Sequence, residues 1–102
     1  MKKFSDFGIQ VEDSSIFPVS KISISELLNQ EIEILDFHSG IRTRHGDDRC
    51  VVKIKYLHLE RKFFTNANPI KQALAQIPKE NFPFLATIKQ QNFGSNHTFY
   101  LT

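Results

Sequence analysis

The residues best suited to chemistry lie in the segment GIRTRHGDDRCVVKIK, which runs from Gly40 to Lys55. Its basic residues are Arg42, Arg44, Arg49, Lys53 and Lys55. Positive side chains that are spaced along an extended chain can contact successive phosphates of a nucleic acid strand. The same charges are also typical of the solvated face of an antiparallel sheet. The segment therefore has two interpretations, a phosphate-binding surface and an ordinary solvated face.

The same segment contains His45, Asp47, Asp48 and Cys50 within six residues. These residues do not have the paired spacing of a zinc site, and a Gly-Asp turn between two strands accounts for the acidic pair. No further residue supports a thiol and imidazole nucleophile pair, and the chain has no glycine-rich phosphate loop. We therefore expect no metal, no cofactor and no enzymatic activity.

Aromatic residues provide the second candidate chemistry, because nucleotide bases stack on exposed aromatic rings. The chain has ten Phe, two Tyr and no Trp, and most of these Phe side chains are expected in the core. Phe63 and Phe64 are neighbours on a predicted strand, so one faces the core and the other faces outward. Phe93 lies in the predicted loop NFGSN. Base stacking and anchoring of the loop are two equal interpretations of the role of its ring.

The basic segment begins within a long predicted strand that starts at Glu31. In EIEI, Ile32 and Ile34 share one face of the strand. Strict alternation would then place the polar residue Asp36 on this same apolar face. Such a slip is what a β-bulge produces, and Gly40 offers a second place for a bend. The pattern predicts one long, bent strand over residues 31–44.

A turn at His45–Asp48 leads into a second strand over Arg49–Leu57. Alternation in this strand places Cys50, Val52 and Ile54 on the core face. The outward set is Arg49, Val51, Lys53 and Lys55. Further strands are predicted at Arg61–Thr65, Phe82–Gln91 and His97–Thr102.

The clearest helix follows the third strand, in NANPIKQALAQIP. An apolar stripe at helical spacing is formed by Ile70, Ala73, Leu74 and Ile77. Asn68 is suited to the N-cap, Pro69 to the first helical position, and Pro78 ends the helix.

The element order β-β-β-α-β-β is that of the OB-fold, a five-stranded and partly open Greek-key barrel. We therefore predict an all-β domain with one helix over residues 21–102, with a simple α+β sheet as the alternative. Residues 1–20 have no sustained period and are expected to form a flexible N-terminal arm. A short helical turn with Ser25 as its N-cap is expected in ELLNQ.

The charge is divided between the two parts of the chain. Residues 1–40 carry three lysines and seven acids, a net −4, whereas residues 41–102 carry ten basic residues and four acids, a net +6. This division favours a polyanionic partner for the basic part. The single cysteine fits a reducing compartment, and the N-terminus lacks the apolar stretch of a secretory signal, so we expect a cytoplasmic protein without a membrane segment.

The stretches ISISELLNQEIEILDF, VVKIK, KFFTNANPIKQAL and FPFLATIKQQ with TFYL resemble small proteins of phages and conjugative or mobile elements. Proteins of the kind that the chain resembles are OB-fold, single-stranded DNA-binding proteins, and the resemblance extends from about Lys21 to the C-terminus. It implies DNA binding during replication or transfer of a mobile element.

Sequence and resemblance together lead to one expected function, sequence-tolerant binding of single-stranded DNA, with RNA left open. The expected phosphate contacts are Arg42, Arg44, Arg49, Lys53 and Lys55. Phe93 and either Phe63 or Phe64 are expected to stack on bases. The alternative is an OB-fold protein-interaction module, an adaptor or host-factor inhibitor that does not bind nucleic acid. A homo-oligomer through the N-terminal arm or the sheet edges is also compatible with the sequence.

Overall fold

The structure, a computed structural model, describes residues 16–43 and 46–102. The strands are β1 (Ser20–Lys21), β2 (Glu31–Thr43), β3 (Gly46–Tyr56), β4 (Leu59–Thr65), β5 (Phe84–Phe93) and β6 (Asn96–Leu101). The helices are α1 (Ile24–Leu27) and α2 (Asn68–Gln76), and a 3₁₀ turn covers Lys79–Asn81. Within these residues, no helix has the length and apolar character that crossing a membrane requires.

The described strands form one sheet in the order β1-β4-β3-β2-β5-β6. Neighbouring strands are antiparallel except β1, which runs parallel to β4. The predicted β-rich fold is confirmed, but the sheet is open, mixed and six-stranded. In the described ranges no ladder joins β4 to β6 to close a barrel. Strand β1 pairs with part of the β4 edge, and α2 packs against β6.

Strand β2 carries the predicted bend. Its register with β3 shifts between Ile34 and Asp36, where the alternation in the sequence slips, and again between His38 and Ile41. The second shift contains Gly40, whose φ of +72° is a conformation that glycine adopts without a steric penalty. The bent strand thereby pairs with β3 along most of its length and with β5 over its first four residues.

The main core lies on one face of the sheet and confirms the predicted parity of β3. Cys50, Val52 and Ile54 are completely buried on this face. Helix α2 adds Ile70 and Leu74, so the predicted apolar stripe is the face that packs on the sheet.

Both helix starts differ from the predicted caps. Helix α1 is capped by Ser23 rather than Ser25, and the Ser23 hydroxyl accepts a hydrogen bond from the Ser25 amide at 3.2 Å. Helix α2 begins at Asn68 itself, with Ala67 as the N-cap and no side-chain capping bond. The Ala67 amide instead donates to Thr65 Oγ1 at 3.1 Å, so the turn that precedes the helix sets its start.

A second, smaller core lies on the other face of β3. Val51 was expected on the outward face but is completely buried there, because Phe17 and Ile41 cover it. Lys62 of β4 is also buried on this face, and its Nζ donates to the Phe17 carbonyl at 2.8 Å. The described end of the predicted N-terminal arm, residues 16–20, thus packs on the sheet, while residues 1–15 lie outside the described residues.

Candidate functional site

One of the predicted phosphate contacts, Arg42, lies near the end of β2. Arg42 is highly exposed, and its Nε lies 3.1 Å from Asp47 Oδ1. An exposed pair of this kind contributes little to stability and exchanges readily for another anion. Arg42 can therefore reach a phosphate. Arg44 lies outside the described residues.

The next two predicted contacts, Lys53 and Lys55, have acidic neighbours on the sheet. Lys53 Nζ lies 3.3 Å from Glu60 Oε1 and 6.0 Å from the ring centre of Phe17. Lys55 is exposed, and its register partners on the flanking strands are Glu33 and Glu60. The basic side chains of β3 therefore alternate with carboxylates and do not form an unbroken positive row.

Arg49 has a different environment from the other basic residues. It is half-buried, and its guanidinium carbon lies 5.9 Å from the ring centre of Phe64. Its Nε is buried and has no hydrogen-bond partner among the described residues. A buried donor without a partner is costly, so this nitrogen is a candidate contact for a bound acceptor.

The structure decides between the two adjacent phenylalanines. Phe63 is completely buried in the main core, so its ring is closed to a ligand. Phe64 lies on the opposite face, where it is half-buried and has the cationic groups of Lys21, Arg49 and Lys62 within 5.6 to 5.9 Å of its ring centre. Phe64 is therefore the ring that can meet a ligand.

Phe93 belongs to a strand and not to the predicted loop. It ends β5 and pairs with Asn96 of β6 across the turn formed by Gly94 and Ser95. Gly94 has a φ of +64° at the first central position, where tight hairpin turns favour glycine. The turn holds Phe93 in the sheet with 54% of its surface exposed.

One cleft brings together Arg49, Phe64 and Phe93. It has a volume of about 610 Å³ and lies where the end of β4 and the start of α2 face the β5–β6 hairpin. This is also the side of the sheet on which β4 and β6 remain unpaired in the described ranges. The volume is within the range of small-ligand sites, so the cleft has room for a planar group.

Residues that the sequence did not single out complete the cleft. Phe99 and His97 of β6 line it, and their ring centres lie 5.4 Å apart at an angle of 71°. Asn66 and Thr65, at the end of β4, line the opposite side. The only sequence signal for this set is the element order, which brings the last strand near the third strand of an OB-fold.

Metal and thiol chemistry have no support in the described residues. Among them, no three His, Cys, Asp or Glu side chains gather as metal ligands would, and His45 lies outside them. Cys50 is completely buried, and this burial raises the pKa of its thiol to about 11. The thiol is therefore protonated at neutral pH and is a poor nucleophile.

Comparisons with known proteins identify the domain without assigning it a function. No curated protein and no solved structure shows a significant match to the chain. A family model described as "Domain of unknown function (DUF8468)" matches residues 18–102, which include every described strand and helix. The chain belongs to this family.

Proposed function

We propose that this protein binds single-stranded DNA in a sequence-tolerant manner, with the cleft as the centre of its contacts. The observation that supports the proposal is that Arg49, Phe64 and Phe93 come from three strands and line one cleft. Single-strand binding combines positive groups for the backbone with aromatic rings on which bases stack. The cleft offers both kinds of group within one volume.

The arrangement of the strands supports the same proposal. Without β1, the order β4-β3-β2-β5-β6, with a helix between β4 and β5, supports our proposal of an OB-fold that is left open between its third and fifth strands. OB-folds bind oligonucleotides on their second and third strands and the adjoining loops. In this chain those strands are β3 and β4, which carry Arg49 and Phe64.

Each proposed contact has a role that follows from its surroundings. Phe93 and Phe64 stack on bases, and Arg49 binds a phosphate or a base edge. Arg42 and Lys55 are exposed and contact phosphates, and we extend this role to Arg44. Lys53 joins them only when it leaves Glu60. Replication or transfer of a mobile element is the biological role that we propose for this binding.

A titration of single-stranded DNA, followed by fluorescence anisotropy, tests the proposal. Phe93→Ala should weaken binding of an oligo(dT) by about 5- to 150-fold, because one stacked base contributes about 1–3 kcal/mol. The matched control is Leu85→Ala, which truncates another exposed apolar residue of β5 that does not line the cleft. It should leave the affinity unchanged.

Duplex DNA and single-stranded RNA of equal length complete this experiment. Tighter binding of single-stranded DNA than of the duplex is expected, because stacking requires unpaired bases. The proposal is wrong if none of the three binds at about 50 mM salt, where phosphate contacts are strong. Equal losses for Phe93→Ala and Leu85→Ala would remove the cleft from the proposal.

A second candidate function, a protein-interaction module, is favoured by the tip of the β3–β4 hairpin. Leu57 and Leu59 are 73% and 61% exposed there, and Leu57 and His58 both have positive φ. Exposed apolar groups on a strained turn are typical of docking sites. Absence of nucleic acid binding at low salt, together with a partner whose binding Leu57→Ser abolishes, would favour this candidate.

A further inference from the structure

A short strap, residues 16–21, lies across the sheet on the face opposite to the main core. Strand β1 forms one end of the strap and pairs with the edge of β4. At the other end Phe17 is buried, and its ring centre lies 6.0 Å from Lys53 Nζ on β3 and 6.3 Å from the ring centre of His38 on β2. The strap therefore crosses from β4 over β3 to β2.

Two basic side chains of β4 hold the strap by its backbone carbonyls. Lys62 is buried beneath the strap, and its Nζ donates to the Phe17 carbonyl at 2.8 Å. Arg61 donates to the Lys21 carbonyl at 3.0 Å through Nη2 and to the Ser20 carbonyl at 3.4 Å through Nε. A carbonyl is a neutral acceptor, and a charged phosphate oxygen binds the same cations more strongly. A phosphate can therefore compete with the strap for Lys62.

The covered surface continues the cleft along β4. Lys62 and Phe64 are two residues apart on the strand, so their side chains share one face. Lys62 Nζ lies 5.9 Å from the ring centre of Phe64, which lines the cleft. In the proposed OB-fold, β3 and β4 are the strands that bind oligonucleotides. A DNA strand that leaves the cleft along β4 thus meets the strap directly beside Phe64.

We propose that the strap covers a further phosphate contact, Lys62, and thereby confines single-stranded DNA to the cleft. With the strap in place, DNA contacts Arg49, Phe64 and Phe93 but not Lys62. When the strap is released, Lys62 exchanges the Phe17 carbonyl for a phosphate oxygen. This inference rests on the proposed function and adds to it a limit on affinity that is built into the same face of the sheet.

Phe17→Ala in the full-length protein tests the inference, because it removes the ring that packs on Val51 and holds the strap down. Fluorescence anisotropy at about 50 mM salt should show oligo(dT) binding about 3- to 10-fold more tightly, which corresponds to one added hydrogen bond. The slope of log K against log salt should also increase in magnitude by about 0.7, the contribution of one phosphate contact on a single strand.

Phe84→Ala is the matched control. Phe84 is another half-buried phenylalanine, but it packs against the main core on the opposite face of the sheet and does not line the cleft. Its truncation should change neither the affinity nor the slope. A gain in affinity equal to that of Phe17→Ala would show that general loosening of the domain strengthens binding, and it would overturn the inference.

Lys62→Gln, introduced into the Phe17→Ala protein, assigns the gain to one side chain. The affinity and the salt slope should return to about the values of the parent protein, because the added phosphate contact is lost. Binding that stays as tight and as salt-dependent as in Phe17→Ala would exclude Lys62 as the covered contact.

Arg61→Gln releases the strap by a second route that leaves the second core intact. It removes the hydrogen bonds to the Ser20 and Lys21 carbonyls. Loss of a positive charge ordinarily weakens binding to a polyanion, whereas release of the strap strengthens it. We expect oligo(dT) to bind at least about twofold more tightly. Weaker binding would contradict the inference, and this variant decides the question if Phe17→Ala does not fold.

The remaining outcomes separate the inference from the proposed function. If Phe17→Ala binds oligo(dT) as the parent protein does, while Phe93→Ala still weakens binding, the strap covers no contact and DNA binding is retained. Weaker binding by folded Phe17→Ala would make the strap part of the DNA site and refute its role as a cover. Failure of the parent protein and of every variant to bind would remove the proposed function, and the inference with it.

Discussion

The turn between β3 and β4 should become more stable when its two central residues are replaced by Asn and Gly. Leu57 and His58 have φ values of +52° and +67°, so both adopt the left-handed region, as the central residues of a type I′ turn do. Asn-Gly is the sequence that this turn favours, and Leu is poorly suited to it because its Cβ meets the following carbonyl. The double substitution Leu57→Asn, His58→Gly keeps the backbone and removes this conflict.

The expected gain is about 1 kcal/mol in the free energy of unfolding. A left-handed conformation costs an ordinary residue about 1–2 kcal/mol, and the substitution removes this cost. Glycine makes the unfolded chain more flexible, which offsets about 0.5–1 kcal/mol of the gain in stability. Leu57 is 73% exposed, so its removal takes almost no buried surface from the core. In a domain of this size the gain corresponds to a rise in Tm of about 4–8 °C.

Urea unfolding followed by circular dichroism measures this difference, with an unchanged m-value as the sign that the folded state is the same. Leu57→Ser is the control, because it removes the exposed leucine without supplying a residue suited to the left-handed region. A gain in the control equal to that of the double variant would assign the effect to the lost leucine. A double variant no more stable than the parent protein would refute the inference that the turn is strained.

Three other predictions concern the core, the thiol and an acidic residue. Phe63→Ala should lower the free energy of unfolding by about 3–5 kcal/mol because Phe63 is fully buried, whereas Phe93→Ala should change it by less than about 0.5 kcal/mol; denaturant titrations compare them. Cys50 should react with a thiol reagent only after denaturation, and rapid labelling of the folded protein would contradict its burial. Burial raises the pKa of Asp36, but hydrogen bonds from Lys79 and from the Phe37 amide outweigh it and hold this pKa below its usual value. Asp36 therefore stabilises the fold when the pH is above its unfolded pKa, and this stabilisation is lost as the pH falls through its folded pKa. Asp36→Asn should lower the free energy of unfolding by up to about 1 kcal/mol at neutral pH and should not change it in strong acid.

Features that depend on neighbouring residues could be predicted from the sequence. The change of parity at Asp36 predicts the bulge in β2, since each residue of a strand alternates between faces and a slip requires an extra residue. The alternation from Cys50 to Ile54 predicts the buried face of β3 for the same reason. The spacing of Ile70 and Leu74 predicts the packed face of α2.

The second core could not be predicted, because its contacts join distant parts of the chain. Lys62 and Phe17 are 45 residues apart, and nothing in the local pattern of β4 shows that a lysine there is buried against a backbone carbonyl. The parallel pairing of β1 with β4 has only two register pairs, Ser20 with Arg61 and Lys21 with Lys62. So short a strand has no period that a sequence could reveal.

The candidate site was predictable only in part, for a similar reason. Parity separates Phe63 from Phe64 but does not say which of them faces the core; the helix and the other strands decide that. Arg49, Phe64 and Phe93 lie on three strands, and their meeting depends on the gap between β4 and β6. The polar contacts at the edge of the cleft, such as the hydrogen bond from Lys71 Nζ to Asn66 Oδ1, become visible only in three dimensions.

The charges around the cleft lead to a final prediction, that DNA binding depends only weakly on salt. Five phosphate contacts on a single strand would give a slope of log K against log salt of about −3.5. Arg42 and Lys53, however, each lie within 3.3 Å of a carboxylate, and a cation that exchanges a carboxylate for a phosphate releases less bound counterion. With Arg44, Arg49 and Lys55 as the remaining contacts, the slope should be about −2.

Affinity titrations between about 50 mM and about 200 mM salt measure this slope. The double variant Lys53→Ala, Lys55→Ala should reduce the magnitude of the slope by about 0.7, the contribution of Lys55 alone, and Arg49→Gln should reduce it by a similar amount. A parent slope near −3.5 that the lysine variant reduces by about 1.4 would mean that the β3 lysines leave their acidic neighbours to contact the DNA backbone. Recognition would then depend on charge along the hairpin and not on the aromatic cleft.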